Sequence, residues 1–249
     1  MRVLVIGGTG FIGPAVIRRL AGSGHNVTVF RGGVMQASLP GGVQELIGDR
    51  RRLPQFEGEF RRVERVALSD PALPATVLRL PMVYGWGDAY HRFFPYIRRM
   101  EDRRPAILLD EATGNWRSTW GYVDNDASAI ALAAENPDSA GQIYNVSDAC
   151  RPSMADWVRE VMEVTGWSGI LKIVRVACPP PSFGPETNAH QHLVCDSAKI
   201  RDDLGYGEVV SHREAIERKV SWEREHPLRE IDAKQFDYAA EDRILEEIA

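Results

Sequence analysis

Lysine is absent from the first 171 residues of this chain, and no tyrosine has a lysine four positions on. The first tyrosine is Tyr84. Cysteine is scarce: Cys150, Cys178 and Cys195 form no C-x-x-C pair and are odd in number. That excludes a disulfide framework and points to reduced thiols in a cytoplasmic setting. No run of eighteen apolar residues occurs, which excludes an apolar membrane span. There is no excess of basic charge either. The net charge of −5 argues against generic nucleic-acid binding. The six histidines lack zinc-like spacing, and the close pair His190 and His192 reads as a surface loop, so no metal site is expected. No internal repeat is present. What remains is 249 residues, 44% hydrophobic and 26% charged, ordinary for one large domain or a domain with a lobe.

The richest stretch is the first, MRVLVIGGTGFIGPAVIRRLAGSG. Residues 2–6 form a short apolar run of the kind that makes a buried parallel strand, and the opening strand leaves no room for a signal peptide. Gly7, Gly8, Gly10 and Gly13 follow at once, fitting both G-x-G-x-x-G and G-x-x-G-x-x-G. A helix is predicted from Phe11 to Ala21, with Pro14 in its first turn and Gly22 and Gly24 at its end. Glycines between a strand and a helix permit a tight turn, approach of a pyrophosphate to the backbone, and close helix–strand packing. The helix N-terminus then offers N–H groups and a positive dipole end to phosphate. The expected cofactor is therefore a dinucleotide, received by Gly7, Thr9, Gly10, Phe11, Ile12 and Gly13.

Residues 25–30 alternate as a second strand. Where NAD binders usually place an acid against the ribose, this chain has Arg31. A cation there suits a 2′-phosphate, which favours NADP over NAD. Residues 43–47 read as a third strand, followed by Asp49, placed to meet the adenine amino group, and by Arg50. Residues 75–83 read as one buried strand. A helix is expected over 92–100, and another over 125–134 capped by Asp124. Strands are expected over 142–146 and, at an edge, 170–176. Ser153-x-x-Asp156 is a capping signature opening a helix that ends before Gly166. Further helices fall at 197–204 and 211–225, with an acidic surface tail at 232–249.

These stretches resemble the extended short-chain dehydrogenase/reductase family, in its NAD-dependent epimerase/dehydratase branch. The similarity lies in VLVIGGTGFIG (3–13), Asp49, LRLPMVYG (78–85), GYVDNDASAIALA (121–133), IYNVSD (143–148) and DSAKIRDDLGY (196–206), in family order. The resemblance implies an α/β fold: a Rossmann-type parallel sheet over residues 1–148, with a small C-terminal substrate lobe over 149–249, the lobes interleaving. It implies NAD(P), a sugar or nucleotide-sugar substrate, and dimerisation through central-domain helices. Tyr84, Arg117 and Asn145 fall at or near its substrate positions.

The departures are as informative. The family's base is a tyrosine whose pKa is lowered by a lysine four residues on, and no such pair exists here, so no catalytic residue can be named. Residues 61–68 resemble only the tail of the helix that carries it. Strands four and five and their helices are missing between Asp49 and Arg61, a gap of roughly 60–90 residues at about 30 per βαβ unit. The first strand would then expose an edge, unless the 75–83 strand re-closes the sheet in the order 3-2-1-6 or a partner pairs with it. Met82 and Trp86 replace the Asn and Pro usual beside Tyr84. The expected activity is NAD(P)-dependent hydride transfer on a sugar or related molecule. The alternatives are a catalytically silent dinucleotide binder and a non-functional internal-deletion product.

Overall fold

The computed structural model describes residues 1–6, 8–31, 38–47, 75–175, 189, 191–228 and 230–248. In chain order its elements are β1 (Arg2–Ile6), α1 (Gly13–Gly22), β2 (Asn26–Arg31), β3 (Gln44–Ile47), β4 (Val77–Arg79), β5 (Met82–Tyr84), α2 (Phe94–Glu101), β6 (Ala106–Asp110), α3 (Glu111–Asn115), β7 (Trp120–Tyr122), α4 (Val123–Glu135), β8 (Ile143–Asn145), α5 (Met154–Thr165), β9 (Ile170–Val174), α6 (Ala198–Leu204), α7 (His212–Glu225) and α8 (Tyr238–Glu247). The chain divides into two compact units, one built from 1–83, 120–149 and 195–210, the other from 84–119, 150–194 and 211–249. No helix among the described residues is long and apolar enough to cross a membrane.

In the first unit, β1, β2 and β3 form a parallel sheet with β2 central. Side chains alternate between its faces. Val27 and Val29 of β2 are buried, as are Ala15, Val16, Ile17 and Leu20 on the inner face of α1. α1 packs on α4, and His25 Nε2 reaches Glu135 Oε1 at 2.8 Å to tie the α1–β2 corner to the end of that helix. A second core gathers Ala129 and Ala133 of α4, Tyr144 and Val146, Ile200 and Leu204 of α6, and Tyr206.

Several expectations change here. β1 is not a buried strand: Leu4 and Ile6 are 59% and 55% exposed. They share a face with Thr28, Phe30 and Leu46, opposite to the side of Val27 and Val29, and a doubly wound sheet would cover that face with helices. The 75–83 stretch is not one strand. It breaks at Leu80 and Pro81, because proline lacks the N–H a ladder needs. β4 pairs in parallel with β8, and β5 is hydrogen-bonded to β7. Neither lies beside β1 among the described residues, so the 3-2-1-6 closure does not occur there. α1 begins at Gly13, two residues later than Phe11. α4 begins at Val123, with Tyr122 before it and no side-chain cap, so Asp124 sits inside the first turn, where its negative charge favours the positive end of the helix dipole instead of capping. The segment 61–68, the region of the missing strands and Cys178 fall outside the described residues.

In the second unit, β6 and β9 pair in parallel, and Ile244 and Leu245 of the acidic tail pack on Ala106, Leu108 and Val174. The tail is also held by charge: Glu241 forms a buried ion pair with Arg99 at 2.6 Å. α5 begins as its sequence predicts. Ser153 Oγ accepts from the Asp156 N–H at 3.2 Å, the Ser153 N–H donates to Asp156 Oδ2 at 3.1 Å, and Gly166 closes the helix at φ 68°. The Ser153 hydroxyl donates to Asp156 and holds its carboxyl below the ordinary carboxylate range. Ser153→Ala is expected to cost about 1 kcal/mol in chemical denaturation at neutral pH. Because the folded pKa of Asp156 is depressed, that loss should shrink as the pH falls below the unfolded carboxylate value. A pH-independent loss, or none, would count against the capping box.

Candidate functional site

The carboxyl ends of β1 and β2 lie side by side, Ile6 opposite Phe30, and the glycine stretch and Arg31 both leave from that end. This is where open parallel sheets place ligands. Gly8, Gly10 and Gly13 have ordinary, not left-handed, backbone angles. Glycine is needed for space. A Cβ on Gly13 would stand 2.4 Å from the Gly8 carbonyl carbon and oxygen, so α1 presses its backbone directly on the turn. A Cβ on Gly8 would meet Ile17 at 2.7 Å and Val5 at 2.8 Å. Gly10 is the opposite case, since a Cβ there would meet nothing within 4 Å. The turn is thus tight on its protein side and open at its middle glycine.

The start of α1 fits an anion. Ile12 provides no side-chain cap, and no acidic residue lies in the first turn. The partial positive charge of the helix end is therefore not neutralised from within the helix. These features suit the pyrophosphate of a dinucleotide held by the backbone of Thr9, Gly10, Phe11, Ile12 and Gly13. Gly7, Asp49 and Arg50 lie outside the described residues.

Arg31 stands at the end of β2 as read, but it is engaged. Its Nε donates to Glu45 Oε2 of β3 at 2.5 Å. Sequence reading passed over Glu45, although an acid two residues before the end of a parallel neighbour strand is a usable signal. The proposed substrate residues are not gathered with the loop in one unit. Asn145 is in the first unit, where its amide donates to the Asp196 carbonyl at 3.2 Å. Arg117 is in the second. Its guanidinium donates to the Arg151 carbonyl at 2.9 Å, and its backbone N–H to His192 Nδ1 at 3.1 Å. Tyr84 is fully buried there, its ring edge-on to Trp157 at 5.1 Å and tilted on Phe93 at 5.7 Å.

A tyrosine general base needs a lowered pKa, and Tyr96, Tyr144, Tyr206 and Tyr238 are all shifted the other way. Lys199 Nζ sits 4.7 Å from the Tyr144 ring centre, but it donates to Gln142 Oε1 and the Ile143 carbonyl. Burial and Asp203 push the Tyr144 hydroxyl upward, the wrong direction for a base. Burial also raises Tyr206 and Tyr238, and takes Tyr96 up to about 12. No cluster of metal-ligating side chains occurs among the described residues. Sequence reading also missed Asp126, read only as part of a helix. Its carboxyl is buried against Gly121, neither oxygen has a hydrogen-bond partner among the described residues, and burial together with nearby Asp148 raises its pKa well above the ordinary value.

Known proteins agree with this architecture. Residues 61–147 match the NAD dependent epimerase/dehydratase family. The chain is also 25% identical to the uncharacterized protein y4nL of Sinorhizobium fredii over 192 residues, 64% of this chain; it spans about half the length of that relative, 51%. Among solved structures, UDP-glucuronic acid 4-epimerase from Bacillus cereus, in complex with UDP-glucuronic acid and NAD, shares the fold at TM-score 0.66 and 14% identity, covering 90% of this chain and 99% of that one. The epimerase Mth375 from Methanothermobacter thermautotrophicus does so at TM-score 0.65 and 14% identity, with 90% and 92% covered. The dTDP-glucose 4,6-dehydratase of Bacillus anthracis, in complex with NAD, is similar at TM-score 0.65 and 12% identity, with 91% and 97% covered. The chain thus has a Rossmann-type α/β fold, and the segment that matches the family model lies within it.

Proposed function

We propose that this chain binds NAD or NADP on its glycine loop and acts on a nucleotide sugar or related small molecule. The observation that carries the reading is the contrast within the loop, with Gly13 against Gly8 at 2.4 Å and Gly10 open. That arrangement leaves room for a pyrophosphate at the end of β1 and brings an uncapped helix N-terminus to it. Thr9 to Gly13 would hold the pyrophosphate through the backbone, Arg31 would lie on the ribose side, and Asp49 would meet the adenine. When bound, the dinucleotide supplies a hydride acceptor or donor at its nicotinamide. The nucleotide-sugar class rests on the family segment and on what the similar enzymes named above hold or act on.

One observation favours a second reading, a dinucleotide binder without turnover: the chain has no Tyr-x-x-x-Lys couple. A single set of measurements separates the two. NAD(H) and NADP(H) are titrated by calorimetry, and hydride transfer is followed on a panel of UDP- and dTDP-sugars. The expected Kd for one of the dinucleotides lies between about 1 μM and 1 mM, the span in which enzyme KM values commonly fall. Binding with turnover supports the enzyme; binding without turnover on any sugar supports the silent binder. No binding at about millimolar dinucleotide removes both readings.

A further inference from the structure

Arg31 and Glu45 are diagonal neighbours on one face of the sheet. Glu45 stands opposite Val29 in the β2–β3 register, and Arg31 is two residues further along β2. Diagonal pairs on a sheet are within reach of long side chains. The contact is short, 2.5 Å from Nε to Oε2, and the Arg31 side chain is only 13% exposed. Glu45 is more open, at 38%, and its Oε1 takes no hydrogen bond among the described residues. The cation that the sequence offers to a ribose phosphate is therefore already matched by a carboxylate.

We infer that Glu45 sets the dinucleotide preference of this chain through Arg31, and that the pair selects NAD(H) over NADP(H). The inference rests on the dinucleotide reading above. A 2′-phosphate brought to Arg31 arrives beside the Glu45 carboxylate. Attraction to one and repulsion by the other largely cancel, since both charges lie within a few ångströms and inside a Debye length. A ribose 2′-hydroxyl is neutral and loses nothing to that carboxylate, which can accept its proton in a hydrogen bond. Glu45 is thus a positioning residue: it acts on the ligand's charge by holding and neutralising Arg31.

The test uses the full chain, with Glu45→Gln and the double variant Arg31→Ala/Glu45→Gln. Each is titrated with NADH and with NADPH by calorimetry, and circular dichroism checks that both variants fold. The wild-type chain is expected to bind NADH more tightly than NADPH. Glu45→Gln should tighten NADPH by about tenfold or more and move NADH by less than about threefold, in line with the cost of like charges placed together. The double variant should lose the NADPH gain. A wild-type preference for NADPH, or a NADPH/NADH ratio that Glu45→Gln leaves unmoved while both ligands still bind, overturns this inference and leaves the dinucleotide reading standing. If the wild-type chain binds neither ligand, both fall together.

Discussion

Gly13→Ala and Gly10→Ala are expected to fail in opposite ways. At Gly13 the added methyl has nowhere to go: its neighbours are the backbone atoms of Gly8 at 2.4 Å, which cannot rotate aside like a side chain. The helix must lift from the turn, at a cost of about 1–3 kcal/mol for overpacking. The amides at the start of α1 would shift with it, so dinucleotide affinity should fall by more than about tenfold, as one misplaced hydrogen-bonding array costs at least 1.4 kcal/mol. At Gly10 the methyl meets open space, and the backbone angle is one that any residue adopts. The Gly10→Ala protein should therefore unfold within about 0.5 kcal/mol of wild type. It should nonetheless bind dinucleotide poorly, because the methyl occupies the path by which a pyrophosphate reaches the backbone. Chemical denaturation and calorimetric titration of both variants check this. If Gly10→Ala binds at full strength, the open face of the loop is not a phosphate site. If Gly13→Ala is as stable as wild type, the helix is not pinned there.

The second large effect concerns stability. Asp126 is wholly buried, both its oxygens lack hydrogen-bond partners among the described residues, and Asp148 lies close enough to raise its pKa further. Asp148 itself is well served, accepting from the Tyr122 N–H and the Asn125 amide at 3.0 Å each. Asp126 is therefore the member of the pair that keeps its proton. A carboxyl whose folded pKa is raised favours the folded state fully below its unfolded pKa, and that contribution is lost as the pH climbs through the folded value. Stability should fall with pH above about 4, by up to about 1.4 kcal/mol per pH unit while one proton separates the two states. Asp126→Asn keeps the size and removes the ionisation. The variant should match wild type near about pH 4 and become the more stable of the two as the pH rises above that, in urea denaturation. Parallel stability curves for the two proteins across that range would show that Asp126 does not hold its proton in the fold. The same burial explains why the residue escaped sequence reading. An Asp one turn into an amphipathic helix is ordinarily solvated, whereas here Gly121 comes close against the Asp126 carboxyl and the side chain is buried.

Local structure was legible in this chain wherever the cause is local. The β1–turn–α1 sequence, the Ser153 capping box, Gly166 as the end of α5, and the helices near 198–204 and 212–225 all follow from propensity and capping, which act over a few residues. The close approach of Gly13 to Gly8 belongs to the same class, since it joins atoms five residues apart. What the folded molecule alone decided involves partners distant in sequence. The strand predicted over 75–83 breaks because Pro81 stands between two short pairings, one with residues 143–145 and one with 120–122. Leu4 and Ile6 look like core residues in sequence, yet they are exposed, because burial depends on whether another layer exists to cover them. Arg31 reads as a free cation until β3 brings Glu45 against it. Short-range sterics and hydrogen bonding are written in neighbouring letters. Burial, charge pairing and strand order are set by which segments meet, and no stretch of the sequence carries that alone.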